Sequence, residues 1–169
     1  MDKGKQKKML EFRDAAEATK WGRDRLLDLF DNERLIQHNY FRTITVEDSA
    51  SDLNQNPQMD VVLAFTPLPE MAGSDGYLSP GSLSILTDNG TTMLITSIDP
   101  TFRNNVTLSL DLKRVAPIPV GKKLLLRCKT TVYNNAFCTV IFEILGEDRK
   151  LLSVGSHTKV FLPGFNEKL

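Results

Sequence analysis

The chain has 169 residues, 41% hydrophobic and 25% charged, which suits one domain with a sizeable core. Lys+Arg and Asp+Glu both number 21, so the formal net charge is zero and the basic excess expected of a nucleic-acid-binding surface is missing. Two cysteines, Cys128 and Cys138, are too few for a disulfide framework, and no run reaches the roughly 18 uninterrupted apolar residues of a membrane span.

In chain order, Lys3, Lys5, Lys7 and Lys8 read as a solvated terminus. The start has no apolar core of a signal peptide, and Asp2, Glu11, Asp14 and Glu17 interrupt the basic residues that a transit peptide needs. The expected address is cytoplasmic, with mitochondrial as the alternative. Residues 7–37 carry a helical pattern, with Leu10, Ala15, Ala18, Leu26, Leu29 and Phe30 at three- and four-residue steps and Gly22 as a weak point. This predicts a helical extension over residues 1–39 ahead of a main domain over 40–169. Residues 41–46 alternate as a half-buried strand, 48–58 read as a polar loop with Asn56-Pro57, and 59–65 as a second strand. Residues 70–80 hold Gly73, Gly76 and Pro80 and predict a loop. After the middle segment, strands are expected over 106–115, 123–133, 136–145 and 150–162. Asn134-Asn135 is expected as a two-residue turn tolerant of positive φ, within an antiparallel meander.

Residues 79–96 support two readings. Leu83 and Ile85 alternate with Ser and Thr, and Asp88-Asn89-Gly90 is a turn signal, so pattern alone leans to a hairpin. Yet Ser79 is a good N-cap, Pro80 suits the first helical position, and Leu83, Leu86, Gly90, Met93 and Leu94 fall at helical steps.

The segment Gly76-Tyr77-Leu78-Ser79-Pro80-Gly81-Ser82-Leu83-Ser84-Ile85-Leu86-Thr87-Asp88-Asn89 resembles the opening of the central helix in hotdog thioesterases. That family typically has Gly-x-x-His-Gly-Gly, an apolar run, then an acidic residue. Residues 105–112 resemble the first strand after that helix, and Ala116-Pro117 with Gly121 its Pro-x-x-x-Gly turn. Gly155-Ser156-His157-Thr158-Lys159 resembles the last strand of the small acyl-CoA thioesterases related to the phenylacetate-pathway enzymes. The likeness spans roughly residues 40 to 162. It implies an α+β hotdog fold, an antiparallel sheet wrapped around one central helix, with sites built from two subunits of a homodimer or a dimer of dimers.

The implied activity is hydrolysis of a fatty or aryl acyl-CoA, and the alternative is a non-catalytic protein that binds an acyl ligand or serves as an assembly subunit. Asp88 stands for the catalytic carboxylate, activating water or attacking the carbonyl; a carboxylate on a buried helix would have a raised pKa and be a stronger base. Its bland reading is one residue of an Asp-Asn-Gly turn. Thr107 stands where relatives place a polar residue near the reacting water. Relatives have His then Gly at the helix start, and that Gly N–H is implied to polarise the carbonyl. Here the positions hold Ser79 and Pro80, and proline has no N–H. Gly81 N–H or the Ser79 hydroxyl would have to substitute. Gly73 replaces an Asn of close relatives. For the CoA phosphates the candidates are Lys113, Arg114, Lys122, Lys123 and Lys159. His38 and His157 are the only histidines and none closely follows Asp88, so neither a His-based triad, nor hydratase-type Asp/His chemistry, nor a metal site is expected, and no cofactor.

Overall fold

A computed structural model describes residues 17, 20, 21, 24, 25, 45–52, 58–99, 101 and 103–162, with residues 45–52 described through their backbone. Six strands form one antiparallel sheet: β1 (Thr45–Asp52), β2 (Gln58–Phe65), β3 (Asn105–Arg114), β4 (Leu124–Tyr133), β5 (Phe137–Gly146) and β6 (Leu151–Phe161). Their spatial order is β1-β2-β4-β5-β6-β3. Among the described residues the one long helix, α1 (Pro80–Ile98), runs between β2 and β3 in sequence and lies against the sheet. The chain is therefore not a simple meander, because β3 crosses to the far edge and pairs with β6 rather than β4.

The ambiguous middle segment is helical, and local chemistry explains why. Ser79 is the N-cap, its Oγ accepting from Ser82 N–H at 3.2 Å, and Pro80 occupies the first helical position. The threonines that suggested strands satisfy themselves within the helix: Thr87 Oγ1 donates to Leu83 O at 2.9 Å and Thr91 Oγ1 to Thr87 O at 2.6 Å. Their hydroxyls can therefore be buried without an orphaned polar group. Gly90, which looked like the end of a turn, marks close packing. A Cβ there would come within 2.7 Å of Leu126 Cδ2 on β4.

The core fills the space between helix and sheet. Met59, Val61, Leu63 and Phe65 of β2, Leu124 and Leu126 of β4, and Val140, Phe142 and Ile144 of β5 alternate inward against Leu83, Leu86, Leu94 and Ile98. Cys128 and Cys138 are buried in the same core as free thiols. Ala64 and Val62 also bury the other face of β2, with Leu125.

Two further expectations change. The expected loop at 48–58 is largely strand, since β1 runs from Thr45 to Asp52 and pairs with β2, with a register shift between Val46 and Asp48. Ladder bonds come from the main chain and do not require an apolar alternation. Residues 41–44 lie outside the described residues. The Asn134-Asn135 turn takes no positive φ; instead Asn134 Oδ1 accepts from Ala136 N at 2.8 Å and Phe137 N at 2.9 Å, closing the hairpin through a side chain. The expected helix over 7–37 is described only at residues 17, 20, 21, 24 and 25, all helical. Trp21 packs against the core and Arg25 Nη1 donates to Asp99 O at 2.7 Å. The basic cluster at Lys3 to Lys8 lies outside the described residues.

Two points hold the architecture. At Gly155 of β6 a Cβ would lie 2.1 Å from Asp111 O and 2.5 Å from the Phe142 ring, so only glycine lets β3 close onto β6. Past the helix, buried Asp99 accepts from Thr101, from the backbone and guanidinium of Arg103, and from Tyr133 Oη at 2.9 Å. Burial pushes this carboxyl up, but the hydrogen bonds from Arg103 and Thr101 outweigh it and hold its pKa below the ordinary 3.8.

Gly155→Ala is expected to destabilise the fold by about 2 kcal/mol or more in urea unfolding, because the clash is with backbone. Asp99→Asn is expected to cost about 3 kcal/mol at neutral pH. A depressed carboxyl contributes stability that is complete above its unfolded pKa and lost as the pH falls through the lower folded value, so wild type and variant should converge below pH 3.8.

Candidate active site

Asp88 projects from the middle of α1 toward the end of the sheet where β3 and β6 meet. Its Oδ1 lies 3.4 Å from Thr107 Oγ1 of β3, 3.4 Å from His157 Nε2 of β6 and 3.5 Å from Thr92 Oγ1. Thr107 Oγ1 and His157 Nε2 are 3.0 Å apart, so the three groups form a triangle. A bulge between Thr107 and Ser109 sets this geometry, inserting Leu108 as an extra residue in β3.

His157 is wholly buried, and its Nδ1 lies 2.5 Å from Thr91 Oγ1. The Thr91 hydroxyl has one proton, and the Thr87 carbonyl 2.6 Å away takes it. Nδ1 therefore carries the ring proton and donates to Thr91, and Nε2 presents its lone pair to the Thr107 hydroxyl. Burial, reinforced by the Lys159 cation and opposed by Asp88, lowers the imidazole pKa to about 4. The ring is neutral at physiological pH.

Asp88 departs from the expected burial: its side chain keeps 42% of its surface exposed. Oδ1 faces the triangle, while Oδ2 has no hydrogen-bond partner among the described residues. A water there would sit against a carboxylate on one side and the Thr107 hydroxyl on the other.

The structure brings together Asp88 and Thr107, and adds His157, which sequence reasoning set aside because no histidine follows Asp88 closely. Sequence distance was the wrong criterion, since β6 supplies the ring across the fold. The candidate oxyanion donors lie elsewhere. Gly81 and Ser79 are at the helix start, and Gly81 is seven residues or about 10 Å along the axis from Asp88. Ser79 is no longer a donor candidate: its oxygen caps Ser82 N–H and its hydroxyl lies 2.9 Å from Ser82 Oγ. Leu83 N–H is bonded to Ser79 O at 2.9 Å. Pro80 has no N–H, which leaves Gly81 N–H as the available donor of the first turn. Gly81 is exposed, with open space where a Cβ would stand. Gly73 N–H is bonded to Tyr77 O at 2.7 Å in the loop before the helix.

The five cations do not form one cluster. Lys122 and Lys123 join Lys150, Pro119, Glu147 and Asp148 around a cavity of about 580 Å³. Leu78, two residues before the helix, bonds Ile118 beside that cavity, so it lies at the end where α1 begins. Arg114 is at the far end of β3, 3.9 Å from Asp75, and Lys113 is its exposed neighbour. Lys159 is corrected most: it is not a surface charge but is 94% buried, paired with Thr107 in the ladder, about 20 Å along β6 from the Arg114 pairing at Ser153. Its position on the inward face, two residues from His157, put it there. Among the described residues no group of three or more His, Cys, Asp or Glu side chains is placed to hold a metal ion, and no helix is long and apolar enough to cross a membrane.

No family profile and no curated protein matches this sequence. Solved structures do match in fold. The PaaI protein from the E. coli phenylacetic acid degradation operon aligns with a TM-score of 0.69 at 12% identity, over 86% of this chain and 96% of its own. Thioesterase superfamily member 2 from Mus musculus aligns at 0.63 and 16% identity, over 85% and 96%. A hypothetical thioesterase from Streptococcus pneumoniae TIGR4, solved with coenzyme A, aligns at 0.63 and 13%, over 79% and 96%. The fold is the hotdog fold.

Followed by NMR, the His157 ring is expected to titrate near pH 4. The unfolded chain, with an ordinary value of 6.5, binds the proton more readily. Stability is thus complete above pH 6.5 and should fall by about 3 kcal/mol as the pH drops to 4. A ring titrating above pH 6 would overturn the buried, neutral assignment.

Proposed function

We propose that this protein is an acyl-CoA thioesterase-like hydrolase whose functional unit is a pair of chains. The observation that carries the reading is the partly exposed Asp88 carboxylate held against the Thr107 hydroxyl and the neutral His157 ring, midway along the central helix. Such a carboxylate suits general-base activation of a water. In this reading Asp88 takes a proton from the water as its oxygen bonds to the thioester carbon. Negative charge gathers on the carbonyl oxygen and is met by an N–H donor. The carbon–sulfur bond then breaks, and the proton passes from Asp88 to the departing thiolate, releasing acid and CoA.

Gly81 N–H is the donor that remains at the helix start, but about 10 Å separate it from Asp88 in the same chain. One thioester therefore reaches both only if they come from two copies. The surface near Asp88 suits a second copy. Among the described residues β3 is a terminal strand paired with β6 alone, and its Val106 and Leu108 are 46% and 67% exposed. An open edge with exposed apolar residues is the kind of surface that pairs. The CoA phosphates would then settle at the Lys122 and Lys123 cavity, at the same end as Gly81. The coenzyme A in the streptococcal structure supports that ligand class. Which acyl group is cleaved best follows from the same experiments.

The purified protein incubated with short-, medium- and long-chain acyl-CoAs is expected to release thiol, with Asp88→Asn lowering turnover about 100-fold or more. Gly81→Val, which screens the N–H, should also be nearly inactive. Mixed and reassembled with Asp88→Asn, it should regain about a quarter of wild-type activity, because half the pairs carry one intact site in two. Activity of mixtures no higher than either parent would overturn the two-chain site. Saturable acyl-CoA binding with no thiol release would overturn hydrolysis and leave a non-catalytic binding protein.

A further inference from the structure

Lys159 is an anomaly that the reaction above does not use. Lysine is among the residues least often fully buried, and it is buried only when paired. Here 94% of its surface is covered, on the face of β6 that packs inward. Among the described residues its ammonium has neither a hydrogen-bond acceptor nor a carboxylate at ion-pair distance. Its stem is covered while the ammonium tip still reaches solvent, so an anion can approach it, and an apolar residue of similar length would leave the fold intact.

Its neighbours define what it faces. Thr107 is its partner in the β3–β6 ladder, His157 lies two residues away on the same face, and the Asp88 carboxylate is close enough to act on it electrostatically. Burial pulls the ammonium below its ordinary 10.5, while Asp88 opposes that. From the β5 side Lys159 faces Cys138, an uncharged thiol. Among the described residues the one anion acting on it is thus also the group that the reading above makes the base.

We propose that Lys159 is the anion-binding group of this site, receiving the oxygen of the acyl carboxylate that is formed beside Asp88. The inference rests on the proposed hydrolysis for the origin of that carboxylate, but not for its binding. A carboxylate formed next to Asp88 brings two like charges together, which is unfavourable unless a cation sits between or beside them. Lys159 is that cation. It supplies the charge that Gly81 N–H, a neutral dipole at the helix start, does not. The ligand class is therefore a monocarboxylate with an apolar tail.

The test compares wild type, Lys159→Met and Lys159→Arg by calorimetric titration with monocarboxylates from butyrate to decanoate, each beside its primary amide, and by acyl-CoA turnover. Wild type is expected to bind the best-fitting carboxylate at least tenfold more tightly than its amide. Lys159→Met should lose that preference and Lys159→Arg keep part of it. Product inhibition by the same carboxylate should weaken in parallel. The melting temperature of Lys159→Met should equal or exceed that of wild type, which separates a lost ligand contact from a damaged fold. Equal carboxylate and amide affinities in wild type, or a preference that survives in Lys159→Met, overturn the inference even if thiol release proceeds. A Lys159-dependent carboxylate preference without thiol release upholds it and overturns hydrolysis instead.

Discussion

A buried hydrogen bond between Thr91 on the central helix and His157 on β6 fixes the relation between helix and sheet at the site. Thr91 can act as its acceptor only because its own proton goes back to the Thr87 carbonyl, and His157 can be buried only because both ring nitrogens have partners. One turn earlier on the same helix, Asp88 is carried to the sheet edge, and two residues later on β6 is Lys159. The chemistry of the site is thus a consequence of how one threonine is satisfied.

Charge at the site is balanced by a short ladder of unlike groups. Asp88 contributes a negative charge at the opening, His157 is held neutral behind it, and Lys159 supplies a covered positive charge. Each restrains the next: the ammonium disfavours protonation of the imidazole, and the carboxylate favours the ammonium. A neutral imidazole between two opposite charges leaves its Nε2 lone pair for the Thr107 hydroxyl and orients it. This order suits handling of a species that changes from neutral ester to anion.

The two ends of the helix have different tasks. Its start is a well-capped terminus whose capping bonds consume every first-turn donor except Gly81 N–H. Its end is locked by the Asp99 cluster, where Arg103 also stacks 3.9 Å over Phe161 and Arg25 joins from the N-terminal segment. A rigid helix anchored at both ends holds the start and Asp88 about 10 Å apart, the spacing on which the proposed two-chain site rests.

Much of this was legible in the residues. The strands from β2 onward followed from alternation and turn residues to within one residue or so, because each buries one face and ends at Pro, Gly or Asn. Ser79-Pro80 marked the helix start for a local reason, a cap and a preset φ. What misled was chemistry that changes meaning on folding. Asp88-Asn89-Gly90 is a turn in isolation, but inside a helix Gly90 provides room for Leu126. The polar 48–52 stretch is strand because β2 offers it a ladder. The places of His157 and Lys159 were not legible because burial and hydrogen-bond partners are set by elements up to 66 residues apart, as Thr91 and His157 are. The sequence by itself determined which segments extend, where the helix begins and which carboxylate it carries. Only the tertiary structure decided which groups that carboxylate meets, because residues that converge across β3, β6 and α1 share no local pattern.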